Sequence, residues 1–328
     1  MATALSAKTC TGVAAAARKG VRSVAGVRHA PVVKAPRKVV ASATATPAKE
    51  QWSLTMHNAP VSTNANLPKL ISKEQVVSLE AELDQGASVA ALRRFNDALR
   101  ALPADRWAAV LRPVFNELCF NLESFNPAFT SCLLMVQRTI GVSDYVRRDM
   151  ALKNLIQPLA GEYGMHNNQP QLKTHRELFA DFYASLFGTS LEDLIREGVA
   201  PAAAQKLWAQ MNRDIMSGGG ATDPVEGASY ALGYNLAIEY LADYEKTWML
   251  DSFRDLNTRI FAGEGKQVDW VFLEVHAEGE AEHAAIGHNA VLNFVPEAHV
   301  PVLRKAMRDH DRDMAAFYNH VASMLEQH

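Results

Sequence analysis

The sequence predicts an all-α protein. Apolar residues recur at helical spacing through most of the chain from Leu70 onward, the pattern of helices burying one stripe against a shared core. Helix-start signals precede these runs: Ser72-Lys73-Glu74-Gln75 is a capping box, and Thr174-His175-Arg176-Glu177 opens another run. No segment shows the period-2 alternation of a half-buried strand.

In chain order, the first helical segment runs from Leu70 to Leu102 and is stopped by Pro103. Asp105 to about Leu122 is a second amphipathic run, and Asn126-Pro127 begins a third that ends near Ile140. Gly141 and Ser143-Asp144 punctuate before a helix through Met150, Leu155 and Leu159, which Pro158 is expected to kink. The helix opened by Thr174 ends near Gly188; one follows from Ser190 and another from Pro201 through Met216. Gly218-Gly219-Gly220 reads as a flexible break. Asp223-Pro224 starts a long helix expected to pass Tyr240 and reach Leu256. A helix around His276 and a last one from Val302 to Leu325 complete the set.

Residues 1–41 read as a plastid transit peptide. Eight basic residues precede Ser42, and the first acidic residue of the chain is Glu50. Basic, acid-free, Ala/Ser-rich leaders are organelle addresses, and no continuous apolar core marks a secretory signal. Lys38-Val39-Val40-Ala41-Ser42 places the cut after Ala41, with the chloroplast stroma as destination and a mitochondrial address as the competing reading. Residues 42–68 read as a flexible linker and 69–328 as a single domain of a size one core can support. Without the leader, 25 basic residues face 36 acidic ones, a net charge of −11. That balance disfavours nucleic acid as a partner, and no apolar run has the roughly 20 residues needed to span a bilayer. Cys119 and Cys132, the two cysteines beyond the leader, are not spaced as a CxxC pair, which excludes a disulfide framework and a cysteine-ligated zinc or iron–sulfur site. Both read as core residues.

The chemistry sits in Val275-His276-Ala277-Glu278-Gly279-Glu280-Ala281-Glu282-His283. At roughly 100° per residue, steps of +4 and +7 return to nearly one direction, so His276, Glu280 and His283 share a narrow stripe. Two imidazoles and a carboxylate on one stripe supply the nitrogen and oxygen donors of a metal site. Glu274, Glu278 and Glu282 fall on the opposite, solvated face, and His288 lies off to one side. Upstream, Glu162 closes one predicted helix and His175 opens the next, with His166 as rival to His175. Glu239 lies in the apolar run Ala231–Tyr240, with Asp243 as its rival. A carboxylate in such a segment needs a counter-ion, from a metal or from an arginine.

This order of residues resembles the heme-oxygenase-like diiron oxidases and oxygenases. Their pattern is a Glu and a downstream His, then a Glu on a central helix, then His-x3-Asp/Glu-x2-His on a late helix. The likeness runs through Glu162-Tyr163-Gly164, His175-Arg176-Glu177-Leu178-Phe179, Ala237-Ile238-Glu239 and the His276 stripe. It implies a heme-oxygenase-like helical bundle, here with extra N-terminal helices. It implies two non-heme irons, or a mixed Mn/Fe pair, held by Glu162, His175, Glu239, His276, Glu280 and His283, with Glu239 as the bridging carboxylate. It further implies an O2-dependent oxidoreductase acting on a small organic substrate. Two departures are visible: Met165 to Thr174 is longer than the family's usual turn, and position 280 is Glu where Asp is more usual.

Other readings attach to the same fold. One is a metal-free enzyme of the thiamine-salvage or quinone-cofactor type, with Glu and His as acid and base. Another is a non-enzymatic plastid docking protein that uses its acidic surface. A homodimer is compatible with all of them. Trp248, Met249, Phe253 and Trp270 are candidates for an apolar pocket wall, with core packing as the ordinary alternative.

Overall fold

The computed structural model describes residues 56–60, 62, 64–165, 173–244 and 249–327, with the backbone alone of 278–282. The leader assigned to 1–41 therefore lies outside the described residues. Those described belong to one compact unit, Gln51–His328. Among them the regular structure is helical: α1 Lys73–Leu83, α2 Ala87–Arg100, α3 Trp107–Gln137, α4 Tyr145–Glu162, α5 His175–Phe187, α6 Leu191–Glu197, α7 Ala202–Ser217, α8 Pro224–Ala242, α9 Asp251–Leu256, α10 Val271–Phe294 and α11 Val300–Glu326. The only bridge between extended residues among them pairs Leu70 with Pro296. None of these helices is long and apolar enough to cross a membrane.

Local chemistry sets the helix ends. Ser72 and Thr174 both complete capping boxes, with Gln75 and Glu177 returning the hydrogen bond to the cap backbone. Asp144 caps α4, Asp223 caps α8 ahead of Pro224, and Gly188 closes α5 in the left-handed conformation.

Three expectations change. The Leu70–Leu102 segment is two helices, broken at Asp84–Gly86, because Asp311 of α11 accepts from the backbone N–H groups of Ala87 and Ser88 and caps a new start there. The two runs on either side of Asn126-Pro127 are one helix, α3, with Pro113 and Pro127 inside it. Burial on several sides holds α3 together where each proline removes a hydrogen bond. The helix from Pro224 does not run unbroken to Leu256: α8 ends at Ala242, and a π-helical turn, Asn257–Phe261, follows α9.

Gly218 and Gly219 form a packed turn rather than a loose break, with Gly220 exposed beside them. Gly218 is buried at φ 58°, and a Cβ there would stand 2.6 Å from the Gly227 Cα. That clearance joins α7 closely to α8. Helix α8 is the centre of the fold, buried from Gly227 to Glu239 without interruption, and α3, α7, α10 and α11 pack around it. A helix buried all round shows no amphipathic stripe, which places Glu239 at 3 % exposure inside the bundle.

Candidate metal centre

Five of the six residues singled out by sequence line one cavity: Glu162, His175, Glu239, His276 and His283. The sixth, Glu280, belongs to the stretch described by backbone alone, and α10 carries it between His276 and His283. The rival His166 lies outside the described residues. The rival Asp243 is exposed at the C-cap of α8 and does not line the cavity.

Four helices deliver these side chains. Glu162 is the last residue of α4 and His175 the first of α5, so two helix ends meet at the cavity. Their side chains touch, His175 Nδ1 standing 2.9 Å from Glu162 Oε1. The His175 and His276 rings lie 4.5 Å apart between centroids. On the other side, His283 Nδ1 is 3.9 Å from Glu239 Oε2. Gly287 of α10 faces Glu239, and a Cβ at that position would stand 3.4 Å from Glu239 Cγ.

His276 is oriented from behind. Its Nδ1 is 2.7 Å from the Phe272 carbonyl oxygen, which can only accept, so Nδ1 carries the proton and donates it. In the neutral ring the lone pair then falls on Nε2, the tautomer that metal-binding histidines adopt when a carbonyl holds the other nitrogen. Burial raises the pKa of Glu162, but its contact with His175 and the charges of His175, His276 and His283 outweigh that effect and hold it below the ordinary carboxylate value. Three imidazoles thus act on one carboxylate. Among the described residues, no three His, Cys, Asp or Glu side chains converge on a single coordination point; the donors meet as adjacent pairs.

The donor set fits iron or manganese by chemistry, being imidazole and carboxylate without thiolate. Cys119 lines the cavity, but burial pushes its thiol up to about 11, and Arg176 Nη1 lies 3.1 Å from its sulfur. Cys132 is fully buried, and burial together with the nearby Glu239 charge raises its pKa still further.

The rest of the wall is mostly apolar: Leu122, Phe125, Phe129, Phe179, Ile238 and Phe272. The cavity they leave, about 60 Å³, suits small groups. Asn126 is the polar exception among them, its buried amide oxygen having no hydrogen-bond partner among the described residues. Arg176, ion-paired to Glu123, also contributes to the wall. Sequence reasoning missed Asn126, Cys119, Glu123 and Arg176. Arg176 was legible as the neighbour of His175, whereas the three α3 residues reach the cavity only through packing.

Met249 and Phe253, offered as pocket walls, are core residues instead, and Trp270 packs partly buried against that core. Trp248 lies outside the described residues. His288 is turned away as expected and pairs with Glu80 of α1, 2.7 Å away. Glu274 is ion-paired with Arg254 at the surface.

The chain matches no protein-family model and no curated protein. Among solved structures it is similar to a CADD-like protein of unknown function from Nostoc punctiforme PCC 73102, seen in two crystal structures. In the one at 1.35 Å resolution the TM-score is 0.56 and the identity 14 %, over 77 % of this chain and 95 % of that one. In the one at 2.00 Å these are 0.53 and 14 %, over 76 % and 96 %. At such identity the likeness carries the fold alone, and that fold is an all-α, heme-oxygenase-like helical bundle.

Proposed function

We propose that the chain is a non-heme diiron oxidase or oxygenase that uses dioxygen on a small organic substrate, in the plastid stroma to which residues 1–41 direct it. The observation that carries this reading is the meeting of Glu162, His175, Glu239, His276 and His283 at one phenylalanine-walled cavity, with His276 held in a ligating tautomer by the Phe272 carbonyl. These five and Glu280 would hold two irons, and Glu239, the most deeply buried carboxylate, would be shared between them. Bound iron would supply the activation of dioxygen.

The chain's own residues do the rest. Three carboxylates offset most of the charge of two ferrous ions, so the pocket can stay dry around them. The phenylalanine walls exclude water and receive an apolar substrate body. Asn126 brings a buried amide oxygen with no hydrogen-bond partner among the described residues to that wall and would orient a hydrogen-bonding group of the substrate. Loading requires the His175–Glu162 contact to be exchanged for bonds to metal.

The same contact supports a second reading, a metal-free enzyme in which His175 and Glu162 move a proton. Iron stoichiometry separates the two. The protein is loaded anaerobically with ferrous iron, desalted and assayed for iron, then mixed with oxygenated buffer while dioxygen is followed. The diiron reading expects close to two irons per chain and dioxygen uptake, both lost in a His276→Ala/His283→Ala variant. Iron no higher than in that variant would overturn it in favour of the metal-free reading.

A further inference from the structure

The segment ahead of α1 is gripped where a linker was expected. Three buried asparagines, Asn154 of α4 and Asn289 and Asn293 of α10, are 0 %, 6 % and 6 % exposed. All three side-chain amides donate to one oxygen, the His57 carbonyl, at 2.9, 2.8 and 2.8 Å. Asn154 Oδ1 accepts from the His57 N–H at 3.1 Å, and Asn293 Oδ1 from the Ala59 N–H at 2.8 Å. Asn154 therefore addresses the backbone of His57 as a neighbouring β-strand would, through one donor and one acceptor.

Further along the segment, Arg147 of α4 donates to the Pro68 carbonyl at 2.7 Å. At the end of α10, the Ile71 N–H donates to the Val295 carbonyl and the Glu297 N–H to that of Lys69. The segment is thus fastened to α4 and to α10 at both of its ends.

We propose that residues 57–59 are a strap, and Asn154, Asn289 and Asn293 a clamp that reads its backbone, which together lock α4 to α10. Asn154 and Asn293 also donate to the Met150 and Asn289 carbonyls of their own helices, and Asn289 to Asn154 Oδ1. An unfastened strap would still take away the shared acceptor of all three amides and the donor to Asn293 Oδ1, and buried polar groups are costly without partners. The three asparagines bond backbone atoms of the strap, so their clamp requires an extended segment; one side chain adds to it, the His57 ring standing 2.7 Å from Gln157 Nε2 of α4. Asn154 lies eight residues before Glu162 on α4, and Asn289 six residues after His283 on α10. At about 1.5 Å per residue these are separations of roughly 12 and 9 Å along the helices. The lock therefore sits within two to three turns of the cavity on both helices and sets how far Glu162 stands from the α10 histidines. Leader removal can end anywhere before His57, but removal beyond Ala59 undoes the lock. The effect on metal rests on the diiron reading; the lock itself does not.

The test is hydrogen–deuterium exchange on the full-length chain, metal-free, comparing parent, Asn154→Ala/Asn293→Ala, Ala59→Pro and His57→Ala. The expected result is slow exchange at His57 and Ala59 in the parent. Exchange at those amides and across α4 and α10 should rise at least tenfold in the double variant, and His57→Ala, which loses only the ring contact with Gln157, should rise severalfold less than the double variant. Ala59→Pro keeps every asparagine and deletes one strap donor, so it decides the matter if the double variant does not fold: α4 and α10 should again loosen. Unprotected amides at 57 and 59 in the parent, or α4 and α10 unchanged in the variant that folds, would overturn the lock. Ferrous binding is then measured on the same proteins, with a tenfold weaker affinity expected in the unlocked ones. Unchanged affinity would overturn the spacing role, whereas no iron in the parent would count against the diiron reading and leave the exchange result to decide the strap.

Discussion

His310 should make the fold sensitive to mild acid. It lies on α11 at 0 % exposure, edge-on to the Tyr234 ring with centroids 4.9 Å apart, and neither ring nitrogen has a hydrogen-bond partner among the described residues. Burial pushes its pKa down to about 3, against a smaller opposing pull from Asp311. The sign follows directly. Between pH 6.5 and about 3 the unfolded chain binds a proton at this histidine and the folded chain does not, so stability falls as pH falls through that window. Each unit is worth about 1.4 kcal/mol, so lowering the pH from 7.5 to 5.0 should remove roughly 2 kcal/mol through His310 alone. For a domain of this size that is about 3–4 °C in melting temperature. Most carboxylates titrate below this range, and other histidines are common to parent and variant. The assay is urea unfolding of the parent and His310→Leu at pH 7.5 and 5.0. The variant should lose about 2 kcal/mol less than the parent over that interval; parallel losses would refute the argument.

Three further outcomes are expected. Glu239→Gln should reduce iron to one per chain or less by metal analysis while leaving the far-ultraviolet dichroism unchanged; full loading would remove Glu239 from the ligand set. Gly218→Ala should cost about 1–3 kcal/mol in denaturant unfolding, because the residue is left-handed and its Cβ would press on Gly227, and a cost under about 0.5 kcal/mol would refute that packing argument. Residues 1–60 fused to a fluorescent reporter should enter plastids, and mitochondrial or cytosolic fluorescence would overturn the stromal assignment.

Local rules were legible wherever they governed the structure. The capping box at Ser72, the helix start at Thr174 and the helix end near Gly188 are marked by a few adjacent residues, and all three stand where the sequence places them. Where a distant residue decides, the sequence misleads. Asp311 starts α2 from more than two hundred positions away, and packing carries α3 through Asn126-Pro127, a pair that in isolation reads as a boundary. The cavity divides in the same way. Its histidines and carboxylates are rare, chemically marked residues whose spacing shows, whereas Asn126 and Cys119 look ordinary until α3 is laid against α5 and α8. The asparagine clamp was invisible for the same reason, since its members come from two helices and act on a backbone atom.

Gly287 has no side chain of its own, yet it governs the place of one. With an added Cβ at ordinary contact distance from Glu239, alanine would fit there, while a branched side chain would have to drive α8 and α10 apart or turn the carboxylate aside. The reach of Glu239 toward the α10 histidines is therefore bounded by the bulk of a residue that would appear in no ligand motif. Under the diiron proposal, relatives that keep the same six histidines and carboxylates would still differ in how closely two metals sit, and a search for that difference should begin at the size of the side chain in this position.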